Sequence, residues 1–161
     1  MRSALPLLLA LATPLSAQAI DLTGTWEGKY TCKGSDGSNF SYSVPGPLEI
    51  SQNGAEIRAQ FPFDKGADVY AGVSIDDDRK PLDKGVAYFV HCGMSDVPGS
   101  GVNDFDETAF ARATTKSNGG GKLKATTTFF IGSPPPEVSS CKWSYKRVDT
   151  VDPLVPACSE L

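Results

Sequence analysis

The sequence predicts an all-β domain in which about eight antiparallel strands close into an up-and-down barrel held by disulfides. Apolar and polar residues alternate with a period of two along most of the chain. Turn-forming residues separate the alternating segments. These two observations fit a sandwich or a barrel equally well. A third observation favours the barrel, because the first and last segments match each other in a single antiparallel register.

The first 19 residues have the three parts of a secretory signal peptide. Arg2 precedes an apolar run over residues 4–13, which is too short to span a bilayer, and the segment ends on small residues. We expect cleavage after Ala19, which divides the chain into a signal peptide (1–19) and a single β-barrel domain (20–161). The expected location is the periplasm or the medium outside the cell, and the absence of cysteine at the cleavage point argues against a lipid anchor.

The overall charge is mildly acidic and restricts the classes of partner. Fifteen Lys and Arg against 19 Asp and Glu give a net charge of −4. Removing the signal peptide makes the chain one unit more negative, because Arg2 is the only charge that it carries. Nucleic-acid-binding proteins usually present a basic stripe, so we expect no nucleic-acid partner. The same balance argues against simple adsorption to anionic membranes.

The first strand illustrates the alternation. Over residues 25–33, Trp26, Gly28, Tyr30 and Cys32 share one face, and Thr and charged residues share the other, as in a half-buried strand. Asn-Gly at positions 53–54 is a strong hairpin signal between the second and third strands. The remaining predicted strands cover residues 48–51, 57–61, 69–75, 85–94, 105–116, 122–131 and 140–148.

The end strands match in register. If they pair antiparallel with Trp26 opposite Arg147, the guanidinium can lie on the indole, which is a favourable contact. The same register gives three further pairs that make physical sense: Tyr30 with Trp143, Gly28 with Tyr145, and Cys32 with Cys141.

Four cysteines, an even number in an exported chain, predict two disulfides. The shared register predicts the bond Cys32–Cys141. The bond Cys92–Cys158 follows by exclusion, and it would hold a tail with two prolines against a middle strand.

Gly24-Thr25-Trp26 resembles the G-x-W signature that opens the first strand of lipocalins and related calycin barrels. Arg147 resembles the basic residue that packs on that tryptophan, and a Cys92–Cys158 bond is similar to the lipocalin habit of tying the tail to the barrel. The resemblance implies a monomeric, non-enzymatic barrel that binds a small, partly apolar ligand. Tyr70, Tyr88 and Phe129 are the candidate ligand contacts, and Trp26, Trp143 and Arg147 are assigned structural roles.

Two other families share short motifs with this chain. Residues 23–26 are similar to the opening of the avidin family, but avidins line the biotin site with several tryptophans and this chain has two, so biotin is not expected. Residues 30–34, with a Y-x-C followed by glycine, resemble periplasmic lysozyme inhibitors. This second resemblance supports an alternative function, inhibition of a periplasmic or secreted hydrolase such as a lysozyme or a protease, through loops 95–104 and 132–139.

Catalytic and metal-binding patterns are not recognisable. His91 is the only histidine and lies in a predicted strand, so neither a serine triad nor a blue-copper site is expected. The acidic groups are interpreted as solvated turns and strand junctions: Asp76, Asp77, Asp78 and Asp83 in one, and Asp104, Asp106 and Glu107 in the other. The sequence therefore predicts no enzyme, no cofactor and no metal.

Overall fold

The computed structural model describes residues 20–34, 41–64, 66–76, 84–95, 105–131 and 137–158. The proposed signal peptide lies outside these residues. The described part contains eight strands: β1 Gly24–Gly34, β2 Ser41–Asn53, β3 Glu56–Phe63, β4 Gly66–Asp76, β5 Lys84–Ser95, β6 Phe105–Thr115, β7 Gly121–Ile131 and β8 Glu137–Arg147. The described residues include no helix long and apolar enough to cross a membrane.

Each strand pairs antiparallel with the next one in sequence, and β8 pairs with β1, which closes the barrel. The predicted up-and-down barrel is therefore confirmed. The register between β1 and β8 is also confirmed, since Trp26 pairs with Arg147 and Cys32 pairs with Cys141. Both predicted disulfides form, Cys32–Cys141 and Cys92–Cys158. Two disulfides indicate an oxidising compartment.

Side chains pack the centre of the barrel, and the N-terminal segment before β1 closes one end, here called the plugged end. Ile20 and Leu22 are buried in the main core. The indole Nε1 of Trp26 donates to the carbonyl of Leu22 at 3.0 Å. The side chain of Gln52 accepts from the Leu22 N–H and donates to the Ile20 carbonyl, so these two backbone groups are satisfied.

Gly28 is required where β1 and β8 approach each other. A Cβ at this position would collide with the backbone carbonyl of Ser144 and come within 2.8 Å of Tyr145. The glycine therefore leaves space for the Tyr145 ring, which is buried inside the barrel. The sequence-based pairing of a small residue with a large one across these strands is confirmed.

The C-terminal tail lies on the outside of the barrel. Val155 packs on Ala67 and Val69 of β4, where it forms a small second core. The backbone N–H of Val155 donates to the hydroxyl of Ser51, and the Cys92–Cys158 bond holds the end of the tail. This arrangement explains why Ala67 and Val69 are buried although they point away from the barrel interior.

Candidate functional site

A buried carboxyl group lies inside the barrel. It is near the end opposite the plugged end, where β1, β3, β5 and β7 finish, and we call this end the loop end. Glu107 is near the start of β6 and only 2 % exposed. It shares its inward face with Ala109, Ala111 and Ala113, which are also buried. The prediction of a solvated acidic junction was wrong for Glu107, because strand alternation from these alanines directs its side chain inward.

Two tyrosine hydroxyls hold this carboxyl group. Tyr70 on β4 donates to Oε2 at 2.7 Å, and Tyr30 on β1 donates to Oε1 at 3.2 Å. Thr127 on β7 lies near enough to favour the charged form of Glu107, although its hydroxyl does not reach hydrogen-bond geometry. Side chains from three other strands therefore surround one buried acid, and only barrel closure can bring them together.

Burial raises the pKa of Glu107, because the charged carboxylate loses its hydration. The hydroxyls of Tyr70, Thr127 and Tyr30 and the nearby His91 oppose that rise by favouring the charged form. The net direction is upward. Burial also raises the pKa of the Tyr70 phenol, and the adjacent Glu107 charge adds to that effect, so Tyr70 stays a hydrogen-bond donor at physiological pH.

His91 and Asp68 form a polar pair beside the cluster of Glu107, Tyr30 and Tyr70. His91 on β5 points inward, and its Nε2 is 3.6 Å from a carboxylate oxygen of Asp68. The imidazole also contacts the Tyr70 ring, with centroids 5.1 Å apart. The Asp68 side chain is 33 % exposed. His91 therefore lies between Tyr70, which holds Glu107, and a carboxylate that reaches solvent.

A β-bulge in the β4–β5 ladder lies next to His91. Tyr70 pairs with His91, while Val69 pairs with Gly93, so Cys92 is an extra residue on β5. Gly93 has a φ of 148°, which favours glycine. Bulges of this kind often occur beside binding sites, because they redirect neighbouring side chains.

Aromatic rings form the wall next to Glu107. Phe61 makes edge contacts with Trp143 and Tyr70, at centroid distances of 4.8 Å and 5.6 Å. Phe61 and Tyr30 remain partly exposed although both pack against the interior core. The indole Nε1 of Trp143 is buried and has no hydrogen-bond partner among the described residues. These rings thus present apolar surface and one hydrogen-bond donor, the Trp143 N–H, that has no partner among the described residues.

The structure separates the three residues predicted as ligand contacts. Tyr70 lies in the interior cluster with Glu107. Tyr88 points outward and is 44 % exposed, because its neighbours Ala87 and Phe89 occupy the inward positions of β5. The backbone of Phe129 pairs with Glu107 in the β6–β7 ladder, and its side chain lies outside the described residues.

The residues assigned structural roles are buried. Trp26 and Trp143 are among the largest fully buried side chains, and Arg147 is also buried. The loops assigned to hydrolase inhibition fall mostly on residues 96–104 and 132–136, outside the described residues. Within the described residues, no group of three or more His, Cys, Asp or Glu side chains could hold a metal ion.

Fold and site together define a disulfide-bonded, eight-stranded antiparallel barrel with a buried acid near one end. Comparison with known proteins found no family model, no curated relative and no solved structure that matches the chain.

Proposed function

We propose that this protein is an exported, lipocalin-like binding protein that takes a small, partly apolar ligand at the loop end of the barrel. The polar end of the ligand donates hydrogen bonds to Glu107, and its apolar body lies against Phe61 and Trp143. The protein binds this ligand without chemical conversion and acts in the periplasm or outside the cell.

The observation that carries this proposal is the burial of Glu107 inside a mainly aromatic and aliphatic interior. Removing a carboxyl group from water is costly, and buried acids with a shifted pKa are enriched at functional sites. A barrel that served only as a packed core could place an apolar residue there. Two tyrosine donors leave lone pairs of the carboxyl oxygens available, so a donor on a ligand can be accepted.

Access is supported by the partial exposure of Tyr30 and Phe61. Both side chains pack against the interior core, yet both retain contact with solvent. The plugged end is sealed by Ile20, Leu22 and Trp26, so entry from that end is blocked. A ligand that reaches Glu107 therefore enters from the loop end.

The test uses matched small molecules that share one apolar body and differ in the polar end: a primary amine, an alcohol or a carboxylate. The amine and alcohol should raise the melting temperature and change the fluorescence of Trp143, whereas the carboxylate should do neither. Trp26 is the only other tryptophan and lies at the plugged end, so it supplies a constant background.

Glu107→Gln is the diagnostic variant and Tyr88→Ser is its control on the outer wall. Glu107→Gln should abolish the preference for donor ligands. The amide replaces one acceptor oxygen with an NH2 group, which cannot accept a hydrogen bond from the ligand. Tyr88→Ser should bind like the parent protein. The proposal is overturned if no member of the series binds, or if Glu107→Gln keeps the same preference. Native mass spectrometry of protein purified from its source gives a separate test, since a carried molecule is expected.

A further inference from the structure

The cations of this acidic protein are concentrated on one wall of the barrel. Outward side chains of β6, β7, β8 and β1 carry seven of them, which we call the basic face: Lys29, Lys33, Arg112, Lys122, Lys124, Lys142 and Lys146. Glu27 is the only acidic side chain described on the outer side of these four strands. A net charge of −4 therefore conceals a strongly positive surface.

Two pairs of these cations face each other, and Lys146 is the one that also has an acid opposite it, Glu27 on β1. Arg112 pairs directly with Lys124 across the β6–β7 ladder, and Lys122 pairs with Lys146 across the β7–β8 ladder. Like charges directly opposite each other destabilise a sheet. Among the described residues, Arg147 forms an ion pair with Asp21 and His91 contacts Asp68, and neither contact involves the basic face. An anionic partner that covered the wall would relieve this repulsion.

An exposed apolar strip adjoins the basic face. Val73, Tyr88 and Phe110 form one row across β4, β5 and β6, because Val73 pairs with Tyr88 and Tyr88 pairs with Phe110. Ile75 and Val90 extend the strip, and all five side chains are between 42 % and 58 % exposed. Contiguous apolar surface of this kind marks an interaction site.

The two regions meet on β6. Phe110 belongs to the apolar strip, and Arg112, two residues later, belongs to the basic face. A shallow groove of about 500 Å³ follows this boundary and is lined by Phe110, Arg112, Lys122 and Lys124 among others. The partner must therefore present anionic and apolar chemistry side by side.

We propose that this wall docks on an anionic lipid surface. Lysines of the basic face contact the headgroups, and the aromatic and aliphatic side chains of the apolar strip lie against the boundary of the acyl chains. The interaction is separate from the interior site, and each can fail without the other.

The composition of the wall favours lipid over the other polyanions. Six of the seven cations are lysines, and protein interfaces are depleted in lysine and enriched in arginine. A nucleic acid would leave the apolar strip without a role. Acids elsewhere on the protein have little effect, because charges are screened beyond about 8 Å at physiological ionic strength.

The experiment measures cosedimentation of the full mature protein with vesicles of phosphatidylcholine, with and without phosphatidylglycerol. The parent protein should bind only the vesicles that contain phosphatidylglycerol, and less strongly as salt rises. Lys124→Glu should weaken binding roughly 30-fold, from about 1 kcal/mol per charge near an anionic surface and a change of two charges. Arg58→Glu, an equal change of charge on β3, should stay within about two-fold.

A second pair of variants checks the two halves of the surface. Lys142→Glu on β8 should act like Lys124→Glu, and Tyr88→Ser with Phe110→Ser should weaken binding while its salt dependence remains. Circular dichroism and melting temperature establish that every variant is folded. Equal binding to both vesicle types, equal loss with Lys124→Glu and Arg58→Glu, or binding to immobilised heparin but to no vesicle would each overturn the proposal.

Discussion

The guanidinium carbon of Arg147 lies 5.3 Å from the centroid of the Trp26 ring, and the same side chain ties the N-terminal segment to the barrel. Its Nη1 donates to the carbonyls of Asp21 and Thr23, at 3.1 Å and 3.2 Å. Its Nε donates to the carbonyl of Gly119 at 2.7 Å. One buried cation therefore satisfies three backbone acceptors at the plugged end.

Arg147→Met should lower the free energy of unfolding by about 3–5 kcal/mol, because three partly buried carbonyls lose a charged donor. Lys146→Met is the matched control, since Lys146 is the preceding residue and points outward. The control should change stability by less than about 0.5 kcal/mol. Urea denaturation measures both, and hydrogen exchange of the Leu22 amide should rise in the first variant alone. Similar losses in the two variants would contradict the role assigned to Arg147.

Gly28→Ala should destabilise the barrel by about 3 kcal/mol or more, because the new Cβ collides with the carbonyl of Ser144, which belongs to the backbone and cannot rotate away. Gly46 pairs with Gly28 across the β1–β2 ladder, and a Cβ there would meet nothing within 4 Å. Gly46→Ala should therefore stay within about 0.5 kcal/mol of the parent. Thermal and urea unfolding of the two variants provide the comparison, and equal effects would contradict the close approach at Gly28.

The buried carboxyl group should make the barrel less stable as pH rises. The folded state raises the pKa of Glu107 above the unfolded value of about 4.3. The folded state therefore binds the proton more tightly, and stability declines as pH rises from the unfolded pKa through the raised folded pKa. Glu107→Gln, which imitates the protonated form, should remove this decline.

Urea denaturation of the parent and of Glu107→Gln at a series of pH values from 4 upward measures the effect. The difference between the two free energies of unfolding should grow in favour of the variant across that window and then become constant. Glu49→Gln, at an outward position on β2, serves as the control. A difference that does not change with pH would mean that Glu107 has the same pKa in both states.

Removing the Cys92–Cys158 bond should release the tail before the barrel unfolds. The bond spans a sequence separation of 66 residues, for which the chain-entropy model gives about 4 kcal/mol. In Cys92→Ser/Cys158→Ser, the tail keeps the small contact of Val155 with Ala67 and Val69 and its hydrogen bonds with Ser51. Limited proteolysis should cut the tail of this variant while the barrel resists. Thiol titration should find no free cysteine, because Cys32–Cys141 remains. A tail that resists proteolysis like the parent's would show that packing alone holds it.

Much of the β-sheet could be predicted because its signals are local. Alternation along β1 and β8 gives the inward set on each strand, and one register then pairs Trp26 with Arg147 and Cys32 with Cys141. Cysteine pairing followed from that register by elimination. The position of Tyr88 could not be predicted in this way, since both faces of β5 carry apolar residues and alternation cannot distinguish inside from outside.

The sequence by itself determined the strands and their order, because side-chain alternation and turn residues are local signals. It also determined the closing register, because one pairing of β1 with β8 places Cys32 opposite Cys141. Only the tertiary structure decided which remote residues meet. Glu107 lies 77 residues from Tyr30 and 37 from Tyr70, and the closed barrel brings all three together. The basic face likewise depends on four adjacent strands that place their cations on one wall. A net charge does not tell on which side of the barrel those cations lie.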